Sequence, residues 1–136
     1  MSQAVLILAH KDIGQVLELS ESLAPYFKVF VHLDAKCPIS SEEIGLFHKR
    51  DIQVLQQYSV NWGAWSICEV MLLLLEEAIK DPSIEYFHFI SGQDFPVIHP
   101  KEIYRFYKNK DSIFMKYESV EGVKKTGEPL LWWQKY

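Results

Sequence analysis

The chain is poor in the features that would staple it or thread it through a membrane. It has two cysteines, Cys37 and Cys68, and neither stands in the C-x-x-C spacing of a metal knuckle or redox pair. Free thiols are expected, because a chain of 136 residues encloses enough core to fold without a disulfide. Long apolar runs are also lacking. The longest, Ala4 to Ala9 and Val70 to Leu75, fall far short of the roughly 20 residues that cross a bilayer. No charged segment followed by an apolar stretch opens the sequence, so no secretory signal is read there. The expected setting is cytoplasmic, with a peripheral association to membranes compatible. Basic patches are scarce. The formal charge is −4 with acids and bases interspersed, and the nearest cluster is Lys124, Lys125 and Lys135. That is too thin for the electrostatic footprint of a nucleic-acid binder, so nucleic acid is not an expected partner.

Several catalytic signatures are missing as well. No G-x-G-x-x-G follows the first apolar run, which disfavours a dinucleotide-binding unit, and there is no phosphate-binding P-loop. No G-x-S-x-G nucleophile elbow occurs. There is no D-x-D, the carboxylate pair with which many nucleotide-sugar transferases hold a divalent metal.

What is present describes a packed domain. Apolar residues make up 49% of the chain and aromatics 14%, a composition that excludes disorder. The length fits one domain, residues 1–136. Ala4 to Ala9 reads as a strand buried on both faces. Asp12 is placed to cap a helix from Ile13 to Ala24, whose apolar residues recur at helical spacing. Lys28 to Leu33 is a second strand, Ser41 to His48 a short amphipathic helix, and Ile52 to Leu55 a short third strand. From Ala64 to Lys80 runs the longest helix, apolar around almost its whole circumference and therefore expected to be largely buried. Asp81-Pro82 ends it. Ile84 to Ile90 is a fourth strand, apolar on both faces. Pro100 to Tyr107 is a helix with proline in its first turn, and Ser112 to Lys116 is a candidate further strand. Alternating strands and helices predict an α/β fold, a mostly parallel sheet flanked by helices.

In open α/β sheets ligands bind at the carboxyl ends of the strands. The loops that gather there are Ala9–Asp12, Asp34–Lys36, Asn61–Ser66 and Ser91–Asp94. Asp34 can accept hydrogen bonds from a base or ribose hydroxyl, or it can simply form the turn before Pro38. Asp94 has the same two readings, a sugar contact or the turn ahead of Pro96. Trp62-Gly63, before the long helix, can offer helix N-terminal amides to a phosphate; Trp65 reads better as a core tryptophan. Ser66 can touch a ligand or cap the helix. His10 directly follows a buried strand, where a lone histidine is often structural. His32 and Asp34 share a face two residues apart, but two ligands without a third make weak evidence for a metal. His48, His88 and His99 read as surface or core residues.

Taken in order, LILAHKD (Leu6 to Asp12), VFVHLDAK (Val29 to Lys36), NWGAWSICEVMLLLLEEAI (Asn61 to Ile79) and YFHFISGQDFPV (Tyr86 to Val97) resemble the core-2/I-branching β-1,6-N-acetylglucosaminyltransferases. That family includes peptide O-xylosyltransferases and bacterial members. The resemblance implies a glycosyltransferase A-type, Rossmann-like fold that binds a uridine-diphosphate (UDP) sugar and inverts the anomeric centre without a metal, in agreement with the missing D-x-D. It implies that Ala9 and His10 line the nucleotide pocket and Asp34 holds the uridine. Trp62, Gly63 and Ser66 would lie near the nucleotide, and Ser91, Gly92, Gln93 and Asp94 beside the donor sugar. Glu118 falls near the family's acidic acceptor contact. The implied partners are the UDP-sugar donor, of the N-acetylglucosamine or xylose class, and a glycan or other hydroxyl acceptor; no cofactor is implied.

In the family the catalytic glutamate and the basic residues that neutralise the diphosphate lie well downstream of S-G-x-D-F-P. They are expected beyond Tyr136, so no base is assigned here and the isolated chain is expected to transfer little sugar. Val120 to Tyr136 has no clear period and ends on Trp132, Trp133 and Tyr136, apolar surface expected to meet further sequence or a second copy. Truncation at the C-terminus is the corresponding expectation. The competing reading is a non-catalytic nucleotide-binding or interaction module derived from such an enzyme. The absence of an amino-terminal anchor is closer to the bacterial branch, whose members build surface polysaccharides.

Overall fold

A computed structural model describes residues 2–115 of the chain. Its element order is β1 (Ser2–Ala9), α1 (Ile13–Leu23), β2 (Lys28–Leu33), α2 (Ser41–His48), β3 (Gln53–Leu55), α3 (Ser66–Ala78), β4 (Ile84–Ser91) and α4 (Pro100–Tyr107). The strands form one four-stranded sheet in the order β3-β2-β1-β4, with every pairing parallel. β1 is central. Ala4 lies opposite Lys28 of β2 and opposite Phe87 of β4. The chain thus builds outward from β1 through β2 to β3, then crosses back to place β4 on the other side of β1. That reversal of strand order is the topological switch point at which open α/β sheets bind ligands.

Side chains alternate across a strand, so β1 feeds two cores. Val5, Ile7 and Ala9 pack with Val16, Leu19 and Leu23 of α1, Val29, Val31 and Leu33 of β2, and Phe47 of α2, with Ile103 and Tyr104 of α4 against them. Ala4 and Leu6 face the other way, onto Phe30, Ile84 and the stripe Val70, Leu74 and Ala78 of α3. A strand read as buried on both faces is buried on both, because helices cover both.

Helix starts follow local chemistry. Ser40 makes a full capping box with Glu43 at α2: its hydroxyl accepts the Glu43 amide, and the Glu43 carboxylate accepts the Ser40 amide. The hydrogen bonds from Ser40 hold the Glu43 carboxyl below the ordinary range. Asp12 occupies the N-cap position of α1, but its backbone is left-handed (φ 54°, ψ 57°) and its side chain makes no capping bond. The expected cap is therefore positional only.

Three other expectations change. α3 is not largely buried: only Val70, Leu74 and Ala78 are, while Cys68, Leu72 and Ile79 are exposed. One stripe of the helix meets the sheet, and no described residue covers its outer face. β4 is not buried on both faces either. It is an edge strand among the described residues, and Phe89 remains exposed. Residues 112–115 carry no strand, and Lys116 lies outside the described residues. Both cysteines are free thiols. No helix among the described residues is long and apolar enough to cross a membrane.

Candidate functional site: a cavity at the strand ends

A cavity of about 540 Å³ opens at the carboxyl ends of β1, β2 and β4, lined by Leu8, Ala9, His10, His32, Asp34, Lys36, Val60, Trp62, Ile67, Val70 and Ser91. Its size is that of a small-molecule site. Leu8 and His32 are register partners on β1 and β2, and they face the α3 side, as Leu6 and Phe30 do. Ile67 and Val70 supply the α3 wall. The cavity therefore sits between the sheet and the first turns of α3, beside the switch point between β1 and β4.

Asp34 follows the last residue of β2, and its amide donates to the Ala9 carbonyl at 2.8 Å, extending the pairing with β1. Its side chain is almost entirely enclosed. One carboxylate oxygen accepts the Lys36 amide at 2.8 Å and the other the Val60 amide at 3.2 Å. The Lys36 ammonium stands 3.6 Å from the second oxygen and donates to the Val60 carbonyl at 2.7 Å. Burial pushes the Asp34 carboxyl up, but the Lys36 and Val60 amides and the Lys36 charge outweigh it and hold the group below the ordinary carboxylate range. Asp34 fixes the turn, as one of its two readings expected, and it also lines the cavity.

His32 is 1% exposed. Its Nε2 accepts the amides of Gln57 and Tyr58 at 3.3 and 3.2 Å. A nitrogen that accepts two N–H groups carries no proton, so the ring is the neutral tautomer protonated at Nδ1. Burial pushes its pKa below the ordinary value against the pull of Asp34, which agrees with a neutral ring. One ring nitrogen is thus occupied by two backbone amides, and among the described residues no group of three His, Cys, Asp or Glu is placed to hold a metal ion.

The cavity brings together Ala9, His10, Asp34, Trp62 and Ser91 of the residues expected from the sequence. Gly63 and Ser66 lie just beside it. Gly63 takes a left-handed turn at φ 72°, and the Ser66 hydroxyl accepts the Asn61 amide at 3.0 Å, tying down the loop that carries Trp62. Trp65 is 68% exposed rather than a core residue, because it precedes α3 on the side away from the sheet.

Gly92, Gln93 and Asp94 do not line the cavity. Gly92 is buried in protein. A Cβ there would stand 2.7 Å from the Ala9 Cβ and 3.1 Å from Val16, so its missing side chain serves the packing of β4 on β1. The Asp94 carboxylate accepts the Ser91 amide at 2.7 Å, and the Ser91 hydroxyl accepts the Gln93 amide at 3.1 Å. The turn closes on itself, and Asp94 faces a separate apolar cleft with Phe95, Ile103 and Tyr107. Glu118, Trp132, Trp133 and Tyr136 lie outside the described residues.

Sequence reasoning missed Leu8, Val60, Ile67 and Val70 as cavity walls and gave Lys36 no role. The alternation 32, 34, 36 was the available signal for Lys36. Val60 belongs to an irregular segment with no period to read.

A parallel α/β sheet with a polar-rimmed, apolar-walled cavity at its switch point defines a class, the α/β domains that take a ligand in the crevice at the strand ends. The profile of the Core-2/I-Branching enzyme family matches residues 5–128. The chain belongs to that family of glycosyltransferases, and its fold is that of a glycosyltransferase A-type domain. No curated protein matches the chain.

Proposed function

We propose that this domain binds the UDP-sugar donor of a glycosyltransferase that passes a sugar of the N-acetylglucosamine or xylose class to a hydroxyl acceptor. The observation that carries this reading is the cavity at the β1/β4 switch point, where Ala9, His10, Asp34, Trp62 and Ser91 converge. Leu8, Val60, Ile67 and Val70 give it an apolar wall suited to a flat base, and His10, Asp34, Lys36 and Ser91 give it polar groups suited to ribose and phosphate. Asp34 supplies an anionic acceptor for base or ribose donors. Ser91, at the end of β4, lines the cavity and stands toward the sugar.

The reaction we propose is a direct displacement. A base deprotonates the acceptor hydroxyl, which attacks the anomeric carbon as the nucleoside diphosphate leaves with inversion. The sequence has no D-x-D, so the charge on the leaving diphosphate is assigned to protein cations rather than to a metal held by that motif. The described residues contribute binding and orientation. No base is assigned among them.

Calorimetric titration of the chain with UDP in excess chelator tests the reading. Binding is expected without added metal, and Asp34→Ala should weaken it at least about tenfold. Because Asp34 also holds the Lys36 and Val60 amides, Asp34→Asn is the companion variant: it keeps an acceptor for the turn and removes the charge. A folded chain that takes up no UDP overturns the reading. Competition between UDP-N-acetylglucosamine and UDP-xylose then ranks the donor.

A further inference from the structure

His32 is built into the cavity in a way that the fold does not require. It is 1% exposed, its Nε2 is saturated by the Gln57 and Tyr58 amides, and its proton is consequently at Nδ1. Among the described residues Nδ1 has no protein acceptor. Yet no side-chain nitrogen or oxygen fully buried there lacks a partner. The trace of surface left on the ring therefore includes Nδ1, and the cavity is what the ring lines. The two nitrogens of an imidazole point away from each other, so amides fixed at Nε2 aim Nδ1–H away from the 57–58 segment.

A donor that opens only onto the cavity is met there by water or by a ligand acceptor. The surroundings select the acceptor. Leu8, Ile67 and Val70 line the cavity near His32, whereas Lys36 and His10 are exposed and stand at the rim. A phosphate belongs at the rim with water and cations. The apolar wall suits a neutral planar group with an exocyclic oxygen.

We infer that the His32 Nδ1–H donates a hydrogen bond to a carbonyl oxygen of the uracil ring, making His32 a base-specificity residue. The inference rests on the nucleotide reading above. Adenine has no exocyclic carbonyl, so the site discriminates against it. The 57–58 segment takes on a second role: by occupying Nε2 it fixes the tautomer and keeps the donor directed at the base.

The test uses the full chain, with UDP and ADP as probes. UDP should bind at least about tenfold more tightly than ADP. His32→Gln can place an amide oxygen near the Nε2 position, keeping the acceptor for the two backbone amides and losing the donor. It should lower UDP affinity about tenfold and leave ADP unchanged. His32→Asn retains a donor near the Nδ1 position and should keep more of the preference for UDP, whatever it loses in thermal stability. On the wild-type chain, the ring ¹⁵N spectrum should show the Nδ1-protonated tautomer, and UDP should shift its Nδ1 resonance. If UDP binds but that resonance does not move, or UDP binds a folded His32→Gln chain equally well, the assignment of His32 is wrong and the nucleotide reading stands. If UDP does not bind the wild-type chain, the nucleotide reading fails and the inference falls with it.

Discussion

The two faces of the sheet are finished to different degrees. Under α1, α2 and α4, Val16, Leu19, Leu23 and Phe47 close over β1 and β2, and Phe27, Tyr104 and His88 stack edge to face at the margin. Under α3, a narrow stripe of Val70, Leu74 and Ala78 meets the sheet, and the helix presents Leu72, at 52% exposed, and Ile79 outward. The cavity lies on this second face, where the sheet's carboxyl end is left uncovered. The closed face supplies the rigidity, and the open face supplies the room. A site needs both, because a cavity is useful only if its walls do not collapse into it.

The largest expected effect belongs to the closed face. Phe47 is fully buried, and Phe47→Ala should lower unfolding free energy by about 3–5 kcal/mol, read from denaturant melts. Next comes acid. His88 hydrogen-bonds the buried Gln3 at 3.0 Å, and burial pushes its pKa down to about 4 from the ordinary 6.5. The unfolded chain therefore takes up a proton between pH 6.5 and 4 that the folded chain refuses. Stability from this group is full above the unfolded value and is lost as pH falls through that window. The ring is partly open to solvent, so the loss should be on the order of 1–2 kcal/mol after screening. A pH series of melts on wild type and His88→Gln checks it: the variant should show a flatter acid limb. The smallest effect belongs to the open face. Leu72→Ala should change stability by no more than about 0.5 kcal/mol, and a cost comparable to that of Phe47→Ala would show that α3's outer face is covered in solution.

The elements and their order are legible in the sequence, whereas the contrast between the two faces is not, for physical reasons. The bounds of β2, α2 and α4 follow from periodicity and from Pro100. The strand ends that carry Ala9, Asp34 and Ser91 follow from the parallel pattern. Periodicity reports which residues are apolar, not which of them find a partner, so α3 and β4 read as buried when the described residues cover only one side of each. The Ser40–Glu43 capping box was a readable signal that local composition obscured. Asp94 carries two readings in the sequence because a turn-fixing carboxylate and a sugar-binding one occupy the same position, and the structure shows it fixing the turn. The role of His32 depended on the 57–58 segment, which has neither period nor motif and acquires meaning only when the chain folds back over β2.

Gly92 carries a last consequence. Its amide donates to the Leu8 carbonyl at 2.8 Å, and its α-carbon abuts Ala9 so closely that no side chain fits between. On the other flank, the Asp34 amide is bound to the Ala9 carbonyl. The cavity's lips at Ala9, Asp34 and Ser91 are thus riveted to one another through backbone contacts, with no slack for the strand ends to spread. Among the described residues, the strand-end side of this site is therefore its fixed side.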